Sequence, residues 1–337
     1  MENVAVIIPS YNGVDLLRDL LPSLQSSRGF QRIRAIVVDD GSTDSTSEVL
    51  AEEFPWVRVW RNPGPNFGTS KGANVGFAAA DKSARYIVLL NNDVVLEPDW
   101  LDEALEPFGN PAVGAVQIKL RSYGERDKLD SAGGVVDRLG WPGERGRPGG
   151  LPETDHGQYD KDTEVFAPCT AGAVFLRDAV SDVGGWDEEM FFCLNDADIG
   201  WRLRLRGWRT LLAARSIAYH KRSVWFQRVW DKQLFDTSRN LLLMLYKNYG
   251  FANLLWTFPL MLVLFTGAGV FYMLTGRATR GGQLLRAVRY AIVNLRAWQR
   301  KRRYVQDRRK VPDAEIVCHM APQSLMLARL NFSRLFS

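Results

Sequence analysis

Five apolar residues, Tyr86 to Leu90, stop abruptly at Asn91, Asn92 and Asp93 before Val94 to Leu96 resume. The run is too short for a helix and too apolar for an exposed loop, so it reads as a buried central strand. The chain must then supply a sheet around it. The carboxyl end of such a strand opens into the ligand crevice of an open parallel sheet, where a carboxylate can hold a hard cation against a phosphate. Asp93 is therefore read as a metal ligand, although an Asn/Asp-rich turn is an equally ordinary way to end a strand.

The preceding residues repeat that pattern. Val4 to Ile8 is an apolar run ending in Pro9, Ser10, Tyr11 and Asn12. Asp15 can cap a helix carrying Leu16, Leu17, Leu20, Leu21 and Leu24 at helical spacing, which Pro22 should kink or shorten. Ala35 to Val38 is a second strand, closed by Asp39, Asp40, Gly41 and Ser42; Val57 to Trp60 is a third, and a helix over Lys71 to Ala80 leads into the central strand. This alternation predicts a mostly parallel α/β sheet flanked by helices. Asp39 and Asp40 can accept hydrogen bonds from a base N–H or a ribose hydroxyl, or cap the next helix. The first strand-to-helix turn, PSYNGVD, lacks GxGxxG, which disfavours a dinucleotide-dependent oxidoreductase.

The net charge of +5 over 337 residues hides an asymmetry: from Val224 onward there are 18 Lys and Arg against 5 Asp and Glu, so the front half is acidic. No nucleic-acid motif accompanies the basic half, and an uncharged stretch from Gly250 to Gly276 precedes its densest part, which points to an anionic membrane surface rather than nucleic acid. Three widely spaced cysteines indicate neither a disulfide framework nor a zinc cluster, and suit a reducing compartment. The first strand starts at once, so no signal peptide is expected.

The strings VAVIIPSYNG, VVDDGSTDST, NFGTSKGANVGF, YIVLLNNDVVLEPDWL and GGWDEEMFFCLNDADIGWRLRLRGWR, in that order, resemble the successive motifs of family 2 glycosyltransferases with the GT-A fold. Within that family they are most similar to bacterial rhamnosyltransferase-like enzymes of cell-surface polysaccharide assembly. The resemblance covers about the first 225 residues. It implies that Pro9, Tyr11, Asp40 and the segment from Lys71 to Asn74 line a nucleotide pocket, with Asn92 beside the nucleotide sugar and Asp93 at the metal end of a DxD-type motif. Many relatives carry a second carboxylate where this chain has Asn91 and Asn92, so Mn²⁺ or Mg²⁺ should lean on the donor's own diphosphate oxygens.

Asp196 lies at the start of a helix, in Asn195-Asp196-Ala197-Asp198, where free N–H groups and the helix dipole favour the anion. On its sequence alone it reads first as a cap; the resemblance makes it the general base. Asp198 either holds the acceptor or pairs with Arg202. The resemblance also makes His220 a metal or diphosphate contact. Small side chains around Gly172 would let a sugar approach the backbone, or would mark a close sheet crossing. From Arg121 to Glu164 glycines accumulate among charges, predicting a flexible loop and short-hairpin region on the acceptor side. No QxxRW follows Asp196, the nearest string being Gln227-Arg228-Val229-Trp230, so transfer of one or a few residues is expected.

The expected organisation is a catalytic domain over 1–223 and a helical, basic, membrane-associating region over 224–337. Because Pro259 interrupts the uncharged stretch and 12 Lys and Arg lie between Arg277 and Lys310, a re-entrant or interfacial helical hairpin on the cytoplasmic face is expected rather than a single crossing. The implied reaction is inverting transfer from a dTDP- or UDP-linked sugar to a lipid-linked or polysaccharide acceptor. The alternatives are a scaffold of the same fold that has lost catalysis, or a nucleotidyltransferase, for which PSYNGVD is not the required basic loop.

Overall fold

The computed structural model describes residues 3–222 and 230–325. The expected boundary at 223–224 and the string from Gln227 to Val229 lie outside the described residues. The order is β1 (Val4–Ser10), α1 (Val14–Gln25), β2 (Ile33–Asp39), α2 (Thr46–Glu53), β3 (Arg58–Arg61), α3 (Thr69–Ala79), β4 (Tyr86–Leu90), β5 (Val94–Leu96) and α4 (Trp100–Leu105). There follow β6 (Val113–Ser122), β7 (Leu129–Ser131), β8 (Gly134–Val136), β9 (Pro142–Glu144), β10 (Thr163–Glu164), β11 (Gly172–Leu176), α5 (Arg177–Val183), α6 (Asn195–Leu205) and β12 (Arg209–His220). The helices α7 (Trp230–Asn248), α8 (Phe251–Leu274), α9 (Ala278–Arg308) and α10 (Asp313–Cys318) complete the chain.

The main sheet runs β10-β12-β6-β11-β4-β1-β2-β3, with β5 on β12 and β7 on β6. It is parallel from β4 through β3, as the alternation of strand and helix predicts. Beyond β4 it is mixed, because β11 lies antiparallel to both β4 and β6. Alternation of side chains explains the unbroken apolar runs: Val4, Val6, Ile8, Val88 and Leu90 enter one core with α1 and α4, whereas Ala5, Ile7, Ile87 and Leu89 enter another with α3, α5 and α6. Both faces are covered, so neither strand can carry a polar interior position. Pro22 sits inside α1, which ends three residues later.

A third core joins Met190, Leu194 and Trp201 to Leu241 through Leu245, Tyr249 and Trp298. Fully burying a side chain of this size stabilises by roughly 1.5–3 kcal/mol, and this core fastens α7 and α9 to the sheet. Helix α9, in the basic region, is thus two-sided. Ala287, Ala291 and Trp298 face inward, and Arg302 donates to the carbonyls of Tyr246 and Tyr249. Arg286, Arg289, Arg296, Arg300 and Arg303 stay exposed, at spacings of three, four and seven that put them on one outer face.

Helices α8 and α9 form a hairpin. Gly269 and Gly281 meet where a Cβ on Gly281 would come within 2.5 Å of the Gly269 carbonyl oxygen, so only glycine allows the approach. Among the described residues, α8 is the helix long and apolar enough to cross a membrane by length and composition. Its outer face bears Phe251, Leu255, Val263 and Leu274, all exposed.

Candidate active site

The carboxyl end of β4 is held by hydrogen bonds from its neighbours. The Asn91 N–H donates to Ala171 (3.1 Å), and Asn92 Nδ2 donates to Ser10 Oγ at the end of β1 (2.9 Å). Asp93 is buried at 6 % exposure. β5 pairs with β12 so that Val94 lies opposite His220, the last residue of that strand. This register brings His220 Nε2 to 3.1 Å from Asp93 Oδ1.

On its other nitrogen, His220 Nδ1 is 2.7 Å from Asp130 Oδ2, contributed by β7. Arg222 and Arg147 bind the other oxygen of Asp130, Arg147 Nη1 at 3.2 Å. Burial works against the Asp130 anion, but His220 and Arg222 outweigh it and hold the carboxyl below its usual range. For His220 too, burial opposes the charge, and the hydrogen bonds to Asp130 and Asp93 win, raising it to about 9. A carboxylate on Nδ1 fixes the ring so that Nε2 faces Asp93.

An oxygen and an imidazole nitrogen brought this close, on a ring already oriented, fit a divalent cation of the Mn²⁺ type, which would have to displace the proton that His220 otherwise holds on Nε2. The described residues contain no group of three His, Cys, Asp or Glu able to enclose an ion. Asp93 and His220 therefore fit as a partial ligand set, to be completed by oxygens of a bound molecule.

Asp196 is the second residue of α6, and Thr170 Oγ1 donates to its Oδ1. The helix terminus favours its anion, yet burial dominates and pushes the carboxyl up to about 6, against the hydrogen bonds from Thr170. The group is still largely ionised at neutral pH, and its basicity is closer to that pH than an ordinary aspartate's, as general-base work requires.

A further carboxyl, which carries no sequence motif, feels both Asp196 and Asp130. Glu144, on β9, accepts from Ser131 and is raised to about 7, first by burial and also by the charges of Asp196 and Asp130. Cys169 is pushed well up by burial and by the same three carboxylates. Glu144 and Cys169 thus feel the charges of both Asp196 and Asp130, the partner of His220, which puts Asp196 in the neighbourhood of the histidine–aspartate pair. Asp130, Ser131, Glu144 and Arg147 all come from the glycine-rich stretch, which carries no motif pointing to them. Thr170 was adjacent to the small-residue turn that did draw notice.

The other expected site residues divide. Tyr11 is exposed, Pro9 is half-buried, and Lys71 is exposed with its ammonium 5.2 Å from the Phe67 ring. Near them a cavity of about 530 Å³ is lined by Gly41, Ser42, Arg61, Asn62, Pro63 and Gly64. Asp40 is buried behind it: its oxygens accept from Asn62 Nδ2 (2.8 Å) and from the N–H groups of Phe67 and Gly68 (2.9 Å each). Burial nevertheless leaves its carboxyl raised.

At three positions the contacts favour a structural role, which for Asp198 and Gly172 is the alternative the sequence left open. Asp198 has no exposed surface and is engaged by Arg202 Nε (2.8 Å), Lys247 Nζ (3.0 Å) and Asn248 Nδ2 (3.1 Å), so no acceptor reaches it. Asn74 exchanges hydrogen bonds with the Trp186 backbone (both 2.9 Å) and so clamps the turn after α5. Gly172 marks a close sheet crossing, where a Cβ would lie 2.9 Å from Leu120 Cδ2.

The motifs and the fold agree with comparisons to known proteins. The profile of Glycosyl transferase family 2 matches residues 5–184. The O-antigen biosynthesis protein RfbC of Myxococcus xanthus is 29% identical over 227 residues, 65% of this chain and 17% of that protein. The poly-beta-1,6-N-acetyl-D-glucosamine synthase of Staphylococcus aureus (strain MSSA476) is 26% identical over 223 residues, 62% of this chain and 47% of that one. The chain thus spans less than half the length of either relative. In structure it is similar to GalNAc-T7 crystallised with UDP, GalNAc and Mn²⁺, with a TM-score of 0.56 at 13% identity over 73% of this chain and 48% of that one; the shared architecture is the GT-A fold. With more than half its length matched by the family profile, the chain belongs to glycosyl transferase family 2.

Proposed function

We propose that the protein is an inverting, non-processive glycosyltransferase that moves a sugar from a nucleoside-diphosphate donor to an acceptor hydroxyl in cell-envelope glycan assembly. The observation that carries this reading is the Asp93–His220 pair at the end of β4, linked to Asp196 at the start of α6 through the charges of Asp130 and Glu144. Asp196 takes the proton of the acceptor hydroxyl. The freed oxygen forms a bond to the anomeric carbon from the face opposite the diphosphate, and the bond to the diphosphate breaks, the electron pair leaving with the nucleotide. Asp93 and His220 would hold a divalent cation, Mn²⁺ or Mg²⁺, whose charge offsets that of the leaving diphosphate. The cavity at Gly41 to Gly64, with Tyr11, Pro9 and Lys71 nearby, would take the nucleotide, and Asn92 would border its sugar. dTDP- and UDP-linked sugars are the first donors to try.

A lipid-linked or polysaccharide acceptor fits a protein held at a membrane. The apolar outer face of α8 would enter the cytoplasmic leaflet, and the outer arginines of α9 would meet anionic headgroups at about 1 kcal/mol per basic residue near the surface. On this reading residues 1–223 are the catalytic domain and 224–337 attach it. Calorimetry with a panel of nucleoside diphosphates and nucleotide sugars, with and without Mn²⁺, tests the donor assignment; absence of binding throughout would favour a scaffold of the same fold.

A further inference from the structure

The segment that delivers Asp196 is built with two consecutive non-glycine residues in the left-handed region, Cys193 (φ 63°) and Leu194 (φ 57°). An L-residue pays for that conformation, so something outside the turn must hold it. Asn240 does so from the middle of α7. It is fully buried, and its Nδ2 donates to the carbonyls of Phe192 (2.7 Å) and Cys193 (3.0 Å), using both amide hydrogens. Its Oδ1 accepts from Arg239 Nε (3.1 Å) and Nη2 (2.9 Å), which fixes which end of the amide faces the turn. Arg239 Nη2 also donates to the Glu189 carbonyl (2.9 Å), extending the grip four residues upstream.

The same segment is held on its opposite side. Ser70 Oγ donates to the Met190 carbonyl (2.6 Å) and the Thr69 N–H to that of Phe191 (3.0 Å), so the start of α3 and the middle of α7 bracket it. The chain then enters α6, with the Asp198 N–H closing on the Leu194 carbonyl (2.9 Å). No side chain other than an amide meets the demand at 240. A carboxylate would set an anion against two carbonyl oxygens, and an aliphatic chain would leave both carbonyls unpaired.

We infer that Asn240 is a positioning residue for Asp196, so that the C-terminal helices form part of the catalytic apparatus and not only its attachment. The inference rests on Asp196 being the base. A displacement of about 1 Å at a reacting group can cost about 10²-fold in rate, and a turn released by loss of Asn240 would admit water to Asp196.

The test is the titration of the Asp196 carboxyl in the full chain labelled with ¹³C-aspartate, assigned by its disappearance in Asp196→Asn and needing no substrate. The wild type should titrate near 6; in Asn240→Leu the value should fall toward the ordinary carboxylate range as the pocket opens. Leu243→Ala, a cavity elsewhere in the same helix, should melt earlier but titrate as the wild type does. If Asn240→Leu does not accumulate as folded protein, Asn240→Ser, which keeps one donor, replaces it. An unchanged titration in the Asn240 variant, or an equal fall in Leu243→Ala, would overturn the inference. Full transfer activity in Asp196→Asn would instead remove the base assignment and leave the clamp standing as a structural finding.

Discussion

The end of β4 and the stretch from Arg121 to Glu164 meet at His220, yet they reach it by opposite routes. At β4 the functional residue is local: a buried strand stops, and its next three side chains are at the sheet's carboxyl edge by necessity. In the glycine-rich stretch the residues that reach the site are Asp130 on β7 and Glu144 on β9, on separate short strands. Ser131 and the register of short strands bring them in. A strand end announces its own position, whereas the position of a short hairpin residue depends on pairing partners that no periodicity specifies.

The contrast is sharpest in what each region does to charge. Asp93 contributes one carboxylate facing His220, while the glycine-rich stretch orients His220 through Asp130 and adds Glu144, a carboxyl raised to about 7 by burial and by the charge of Asp196. The first region should therefore be sensitive to loss of the group itself, and the second to loss of the environment it creates.

The largest effect is expected at the residue both regions serve. Asp196→Asn should reduce transfer by about 10²- to 10⁴-fold while leaving nucleotide binding intact, read as turnover and calorimetry on the same preparation. Its pH dependence has a definite sign. Because burial raises Asp196 to about 6, wild-type kcat should fall about tenfold per pH unit below that value as the base becomes protonated, with no such limb remaining in Asp196→Asn.

Asp198 should behave in the opposite way. Asp198→Ala leaves Lys247 and Arg202 buried beside a lost partner and should cost roughly 3–5 kcal/mol of stability, measured by chemical denaturation. A surviving folded fraction should still bind nucleotide; loss of binding without loss of stability would return Asp198 to the active site. A smaller change is expected at Glu144. Glu144→Gln keeps the volume and removes a nearby titrating carboxyl, so the effect on kcat should be about tenfold or less and confined to the pH profile around 7. The smallest is at Asn92, where Asn92→Ala removes one hydrogen bond to Ser10 and should cost about 1 kcal/mol in melting experiments.

Much of the architecture was legible because each early strand is apolar on both faces and each is followed by a helix. That logic carried β1 through β4, and the position of Asp93 with them. It missed the antiparallel insertion of β11 because VFAPCTAGAVFLR has the same composition whichever way its neighbours run. The helix-dipole argument predicted a stabilised anion at Asp196, and the shift runs the other way because burial raises the carboxyl to about 6. Asp198 and Asn74 were polar residues beside motifs. What separates them from Asp196 is that Lys247 and the Trp186 backbone already occupy them, a fact of tertiary packing.

The account turns on two regions building one cation-assisted site, and metal-dependent nucleotide binding tests it most directly. UDP should bind the wild-type protein more tightly with Mn²⁺ than without it. Asp130→Asn, which touches neither ion nor nucleotide but releases His220, should weaken that Mn²⁺-dependent binding by about 10- to 100-fold. UDP binding that is indifferent to Mn²⁺, or an Asp130→Asn variant that binds as the wild type does, would contradict it.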